Sequence, residues 1–258
     1  MRRLLALALA LGWLHESAAA QAPALGASWI EAGGYYHRVG GGFGDWKGGY
    51  LRSVISAARD VWYLDARAQE AFGDRGVYGS FANVHSFGSR VYTHVSVGGG
   101  SGTYVFPDLR LDAAVAVKLG AARSLVVTAG GTFVKAKSVY EDRALFGGLV
   151  WYTGPAVLEL SGRVNWSDPG AVRSERINGA VTLGRPGSRL VVVRAGAGSE
   201  GYQLTGVPAT LRRFQSQEAG LSWREWTGGK FGVVLGGELY HNPFYTRAGV
   251  SLGVFRGW

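Results

Sequence analysis

Histidine, serine and acidic residues are the side chains of this sequence that could carry out catalysis. After the first twenty residues the histidines are His37, His85, His94 and His241, which lie far apart without an H-E-x-x-H motif or another metal-ligand spacing. His85 and Ser86 are adjacent, but neighbours on an extended strand point to opposite faces and cannot form a base and nucleophile pair. We therefore predict no catalytic residue, no metal site and no cofactor.

Carboxylates can act in pairs, as they do in glycosidases. The acidic residues in segments of alternating polarity are Asp65, Asp112, Glu159, Glu218 and Glu238. In "PAVLELSGRVNWSD" Glu159 and Arg163 share one side of a strand, whereas Leu158 and Leu160 share the other. Opposite charges on one face of neighbouring strands most simply neutralise each other. We therefore expect these charges to brace an interior.

Alternation with a period of two continues through almost the whole chain after residue 21. The composition of 42 Gly, 9 Trp, 12 Tyr and 11 Phe among 258 residues disfavours helices and favours strands. We predict about fourteen strands, with twelve or sixteen as the open alternatives. They lie at residues 28–38, 46–58, 61–72, 76–87, 90–98, 109–119, 124–136, 140–152, 156–167, 173–184, 188–198, 211–224, 230–240 and 245–258.

The connections between these strands alternate in character. Tight turns at 59–60, 88–89, 120–123, 153–154, 185–187 and 225–229 alternate with connections that include the longer segments 40–45, 99–108, 167–172 and 199–211. Transmembrane barrels show this asymmetry, with short periplasmic turns and longer extracellular loops. The fold class predicted is therefore all-β: a transmembrane antiparallel up-and-down β-barrel.

The N-terminal residues predict export. Arg2 and Arg3 precede an apolar stretch at residues 4–14, and small residues follow at 18–20. This apolar stretch is shorter than the ~20 residues that a spanning helix requires. We therefore predict a signal peptide at residues 1–20, a single barrel domain at 21–258 and a location in the cell outer membrane. The charge of +9 includes no basic cluster, so we expect anionic glycolipid, not nucleic acid, as the counter-charge.

Binding candidates are the charged residues predicted to face the lumen, where basic residues outnumber acidic ones and would favour anionic solutes. They are Arg52, Arg67, Arg90, Arg110, Arg163, Arg194, Glu159 and Glu238. Two further candidates, Tyr104 and Phe106, stand beside Pro107 in a predicted outer loop. Their rings either stack on a sugar or fold the loop back over the barrel mouth.

Four short segments, in this order and spacing, give the chain a resemblance to a known family. They are Asp45-Trp46, Phe106-Pro107-Asp108-Leu109-Arg110, Val150-Trp151-Tyr152 and Ser167-Asp168-Pro169-Gly170. With them the sequence resembles the YaiO-like outer-membrane β-barrels. The resemblance implies a Gram-negative outer-membrane barrel, an association with surface polysaccharide, and a C-terminal aromatic strand recognised by the outer-membrane assembly machinery. Arg256 departs from the usual C-terminal pattern, in which an aromatic residue is typical.

Three functions are compatible with these features. The first is a porin-like channel, or an accessory component of one, for a saccharide or a small anionic solute. The second is a non-conducting surface protein whose loops bind glycan or lipopolysaccharide. The third is a barrel hydrolase that acts on lipid or glycan. The partners expected are outer-membrane lipid and lipopolysaccharide, the assembly machinery and a saccharide.

Overall fold

Strands that alternate apolar and polar residues form every regular element in the part of the chain that the structure describes. The computed structural model describes residues 28–103, 105–203 and 211–258, so the predicted signal peptide and Tyr104 lie outside the described residues. The described strands are β1 (Trp29–Val39), β2 (Trp46–Ala57), β3 (Asp60–Ala71), β4 (Asp74–Ser86), β5 (Val91–Gly100), β6 (Leu109–Leu119), β7 (Leu125–Lys135), β8 (Glu141–Tyr152), β9 (Ala156–Asp168), β10 (Val172–Arg185), β11 (Arg189–Gln203), β12 (Leu211–Gly228), β13 (Phe231–His241) and β14 (Thr246–Gly257). The prediction of fourteen strands is confirmed.

The fourteen strands close into one antiparallel barrel. Each strand pairs with its neighbours in sequence, and β1 pairs with β14 from Trp29↔Gly257 to Val39↔Arg247. Closure satisfies the backbone hydrogen bonds between strands, which a sheet requires inside a bilayer. The strands contain 10 to 18 residues, compared with the ~9–11 that a tilted membrane strand needs. The longest pair, β11 and β12, extends beyond its neighbours at the extracellular end.

The outer face of the barrel is apolar. Leu145 and Ile177 are 63% and 64% exposed, and apolar side chains of the same parity surround the barrel. Apolar exposure on this scale is unfavourable in water and suits lipid. As predicted for β9, Leu160 faces outward, whereas Glu159 faces the periplasmic half of the lumen.

The alternation continues to the end of β14. Arg256 pairs with Ile30 on β1 and with Phe231 on β13, so it keeps the lipid-facing parity. Its guanidinium lies 5.2 Å from the centre of the Phe231 ring. Arg256 therefore occupies the periplasmic edge of the barrel, where a long cationic side chain can reach the headgroup region.

Candidate functional site

Among the inward side chains that the structure describes, nine are basic and nine are acidic. The nine basic residues are Arg52, Arg67, Arg110, Lys118, Arg163, Arg176, Arg194, Arg224 and Arg247. The nine acidic residues are Glu31, Asp65, Asp74, Asp112, Asp142, Glu159, Glu200, Glu218 and Glu238. The side chain of Arg212 on β12 lies outside the described part of the structure and is not counted, so the predicted excess of positive charge stays a prediction. Glu31, Asp74, Asp142 and Glu200 lie near strand ends, where the sequence pattern left their side undetermined.

Arg90 is the one predicted lumen residue that the structure places elsewhere. It is exposed in the periplasmic turn between β4 and β5, because the turn occupies residues 87–90 and β5 begins only at Val91. The backbone carbonyl of Arg90 accepts a 2.8 Å hydrogen bond from the amide of Lys118. The assignment of Arg90 to the lumen is therefore wrong, because the strand begins one residue later than predicted.

A cavity of about 160 Å³ occupies the extracellular half of the barrel between β1–β3 and β11–β14. Glu238 lies in its wall, 2.9 Å from Arg247, 3.6 Å from Arg194 and 3.6 Å from the imidazole of His37. Arg67 also lines this cavity and pairs with Asp65 at 2.6 Å. The predicted candidates Arg67, Arg194 and Glu238 therefore lie around one cavity.

A larger cavity, of about 340 Å³, occupies the periplasmic half. Its polar lining includes the predicted candidate Glu159 together with Asn178, Ser80, Ser96 and Ser161. Its aromatic lining consists of Trp29, Tyr63, Tyr78, Tyr92 and Phe146. Aromatic surface with a few polar groups is typical of a cavity that binds a small molecule.

Three charged side chains line both cavities and so mark the boundary between them, which we call the constriction. They are Arg52 from β2, Arg194 from β11 and Glu218 from β12. Each forms an ion pair. Arg52 lies 3.0 Å from Asp65, and Arg194 lies 3.6 Å from Glu238. Glu218 lies 3.2 Å from Arg176. Predicted candidates Arg110 and Arg163 face inward but line neither cavity.

Arg194 can lie close to the wall because its neighbour on β12 is a glycine. Gly220 pairs with Arg194, and a Cβ atom at Gly220 would stand only 2.8 Å from Nε of the guanidinium. A side chain at that position would force Arg194 to move. Gly220 therefore leaves the space that the guanidinium occupies in the constriction.

Two clusters of inward ion-paired side chains are not predicted by the sequence pattern. In the first, buried Arg176 donates to Glu200 at 2.8 Å and to the hydroxyl of Ser216 at 2.5 Å. In the second, Arg224 pairs with Glu31, and its guanidinium lies 4.6 Å from the ring centre of Trp29. Arg176 has the parity of the polar side of β10, so the alternation alone would have placed it in the lumen. The partner of each arginine depends on strand register, which the sequence pattern does not contain.

The environment of His94 does not form a nucleophile and base pair. Ser96 shares its face, but the Ser96 hydroxyl donates to Asp112 at 2.8 Å. The same carboxylate accepts a hydrogen bond of 2.8 Å from the Arg110 guanidinium and another of 2.8 Å from the Thr132 hydroxyl. A nucleophilic serine requires a base that accepts its proton, and Asp112 is already engaged as an acceptor for cationic and hydroxyl donors. Among the described residues, no group of three or more His, Asp or Glu side chains could hold a metal ion.

Apolar side chains cover the extracellular mouth. We call this set the mouth cluster, and it consists of Val39, Trp46, Ala71, Val105, Phe106, Phe214, Tyr240 and Tyr245. Phe106 is 2% exposed and stacks on Tyr78 at 5.4 Å between ring centres. The cluster joins the β5–β6 loop to β12 and β13 on the far side of the barrel, so it lies across the opening. This packing of Phe106 corresponds to the second of the two alternatives for its ring, in which the loop folds back over the barrel mouth.

Hydrogen bonds hold two of the outer loops in place. The Asp74 carboxylate accepts the backbone N–H of Thr103 at 2.7 Å and that of Val105 at 3.2 Å. In the β1–β2 loop, the Asp45 carboxylate accepts the Tyr36 hydroxyl and the backbone N–H of Val39. These donors, the Tyr36 hydroxyl above all, lower the pKa of Asp45, because they stabilise its charged form. The loops that cover the mouth are therefore tied to the strands beneath them.

The cover over the mouth can be tested by labelling, because the chain contains no cysteine. We expect Ala71→Cys, at a buried position of the mouth cluster, to react slowly with a water-soluble maleimide. Adding Phe106→Ala should speed this reaction by more than about tenfold, because it removes a ring that excludes reagent from the mouth. Val139→Cys, on an exposed loop, is the control and should react quickly in both backgrounds. Fast labelling of Ala71→Cys with Phe106 intact would contradict the closed mouth.

The closed sheet, the lipid-facing apolar surface and the charged lumen define an integral outer-membrane β-barrel protein. The chain belongs to the family of the YaiO membrane beta barrel domain, whose model matches residues 28–203. None of the curated proteins matches the sequence.

Solved outer-membrane barrels share this fold at very low sequence identity. The CymD monoaromatic hydrocarbon channel is 8% identical, with a TM-score of 0.59 over 90% of this chain and 88% of that one. A bacterial polysaccharide outer membrane secretin is 8% identical, with a TM-score of 0.54 over 90% and 98%. An outer membrane channel from Pseudomonas putida F1 is 12% identical, with a TM-score of 0.53 over 90% and 96%. Identities this low show a common fold and carry no information about the solute.

Proposed function

We propose that the protein is a narrow outer-membrane channel for a small solute, and that the solute is a saccharide. The observation that carries this proposal is the pair of cavities in series along the barrel, which share Arg52, Arg194 and Glu218 at one constriction. A path divided in this way suits selective passage of single molecules better than free diffusion.

The lining supports a saccharide in preference to a simple anion. Among the lumen-facing side chains that the structure describes, positive and negative charges balance, so their sum gives no preference for anions. The periplasmic cavity instead offers aromatic rings such as Tyr92 and Trp29 beside hydroxyl, amide and carboxylate groups such as Ser96, Asn178 and Glu159. Sugars combine apolar ring faces with many hydroxyl groups, so this mixture of groups fits them.

The alternative of a glycan-binding surface loop loses one of its two aromatic candidates. Phe106 is buried in the mouth cluster and stacks on Tyr78, so its ring does not offer a face to an external sugar. Tyr104 lies outside the described residues. The described residues of this loop therefore serve to cover the barrel.

Single-barrel recordings in planar lipid bilayers test the channel. We expect a small conductance with weak charge selectivity, and we expect neutral sucrose to reduce the current in a concentration-dependent way. Galacturonate, an anionic sugar, serves as the comparison and should block no better than sucrose. A barrel that inserts into the bilayer but never conducts would overturn the proposal that the protein is a channel. Block of the current by galacturonate and not by sucrose would overturn the proposal that the solute is a neutral saccharide.

A further inference from the structure

The periplasmic cavity has two chemically different ends. Towards the constriction its wall is charged, with Arg52, Asp65 and Glu218. Towards the periplasm it ends on a set that we call the floor cluster, which consists of Val54, Val61, Val84, Tyr92, Ala116, Val126 and Val150. The lumen of a water-filled barrel is normally polar throughout. The apolar floor of this lumen therefore differs from the polar lining that a water-filled barrel normally has.

Two phenol hydroxyl groups are buried at this floor without a hydrogen-bond partner. They belong to Tyr92, which is 3% exposed, and to Tyr63, which packs against the floor cluster. Both side chains also line the cavity. Buried polar groups are nearly always hydrogen-bonded, and an unsatisfied one destabilises the fold. The two hydroxyls therefore lack an acceptor, and a ligand that supplies one must displace part of the floor, because both oxygens are themselves buried.

The position of these groups limits what could use them. The residues paired with Tyr63 and Tyr92 on the adjacent strands are Val54, Ala82, Ala116 and Ser86, so three of the four offer no polar side chain. Most of the surface beside the two tyrosines is therefore apolar and suits an apolar part of a ligand. The hydroxyl, amide and carboxylate groups of Ser96, Asn178 and Glu159 lie elsewhere around the same cavity.

We propose that the periplasmic cavity binds a glycoside, a sugar joined to a compact apolar ring, and this proposal rests on the proposed saccharide channel. The apolar ring lies on the floor cluster, where the Tyr63 and Tyr92 hydroxyls donate to an oxygen of the ligand. The sugar ring lies against the polar part of the wall. An apolar cavity of about 150 Å³ accepts benzene. The 340 Å³ of this cavity is therefore enough for a ring with a substituent.

Calorimetric titration of the purified barrel in amphipol tests the proposal. The probe is 4-nitrophenyl β-glucoside, with glucose and 4-nitrophenol as comparisons. We expect the glucoside to bind about tenfold or more tightly than glucose, because burial of the aromatic ring adds apolar contact. It should also bind more tightly than 4-nitrophenol, which lacks the sugar.

Conservative variants separate the two hydroxyls from the rest of the cavity. Tyr92→Phe and Tyr63→Phe keep the ring and remove the donor, and each should weaken glucoside binding about fivefold while leaving glucose unchanged. Tyr35→Phe is the matched control, because its hydroxyl donates to Gln69 at 2.7 Å in the extracellular cavity. Heat-modifiable mobility in gels verifies that each variant is folded.

The outcomes distinguish this proposal from the channel itself. Equal affinity for glucose and the glucoside would overturn the apolar subsite, and so would unchanged glucoside affinity in both tyrosine variants. In either case, block of the current by sucrose in bilayers would still support the channel. Equal affinity for 4-nitrophenol and the glucoside would overturn the assignment of the ligand as a glycoside. A barrel that neither binds these probes nor conducts would overturn both proposals.

Discussion

Replacing Arg194 by alanine should raise the single-barrel conductance severalfold. Arg194 lines both cavities, so its removal joins them into one wider path. Glu238 keeps its ion pair with Arg247 at 2.9 Å, so the variant leaves no carboxylate alone in the lumen. The loss of one cation between the two cavities should also shift the selectivity towards cations, because the neighbouring acidic groups then dominate the local potential.

The control for this experiment is another inward arginine. Arg163 on β9 faces the lumen but lines neither cavity, so Arg163→Ala should conduct like the unmodified barrel. Recordings in planar bilayers with a salt gradient give both the conductance and the reversal potential. An Arg194→Ala barrel with unchanged conductance and unchanged reversal potential would show that the solute path does not pass this constriction.

Replacing Arg176 by alanine should lower the free energy of unfolding by about 3–5 kcal/mol, the usual cost of breaking a buried ion pair. The Arg176 side chain is 3% exposed and lies within ion-pair distance of Glu200 and Glu218. Without it these two carboxylates face each other inside the lumen with less positive charge nearby. Urea unfolding of the barrel folded into lipid vesicles measures the loss.

The same strand supplies a matched control. Arg173 on β10 pairs with Glu175 at 2.6 Å, but its side chain is 59% exposed on the outer edge of the barrel. Exposed ion pairs contribute about 0–1 kcal/mol, so Arg173→Ala should change the unfolding free energy by no more than this. Similar losses in the two variants would mean that burial inside the lumen does not strengthen the Arg176 pairs.

The strands and their two faces could be predicted because each residue of a barrel wall faces either lipid or the lumen. Lipid excludes charge from one side, so the period-two pattern of a segment such as β9 shows which side chains turn inward. The pattern weakens at strand ends, where turns interrupt it. For that reason the pattern places Arg90 in the lumen, and it does not assign a side to Glu31, only two residues after the start of β1.

The arrangement of the site could not be predicted, because it depends on which residues face each other across the lumen. Arg224 and Glu31 are 193 residues apart and meet because β1 closes on β14. Trp46, near a strand end where an interfacial ring would be expected, is instead 5% exposed and part of the mouth cluster. Its inward direction follows from the parity of β2, but its neighbours in the mouth come from other strands and loops.

The pairing of β1 with β14 also dictates an order of assembly. The first and last strands meet only after every strand between them has been made, so no earlier stage of synthesis can hold the complete ring. Glu31 on β1 reaches Arg224 on β12, and His37 on β1 reaches Glu238 on β13, across this seam. These contacts across the seam therefore need the closed ring, whereas Arg52 and Asp65, on the adjacent strands β2 and β3, can pair without it. The seam between β1 and β14 thus completes the polar interior and does not by itself create it.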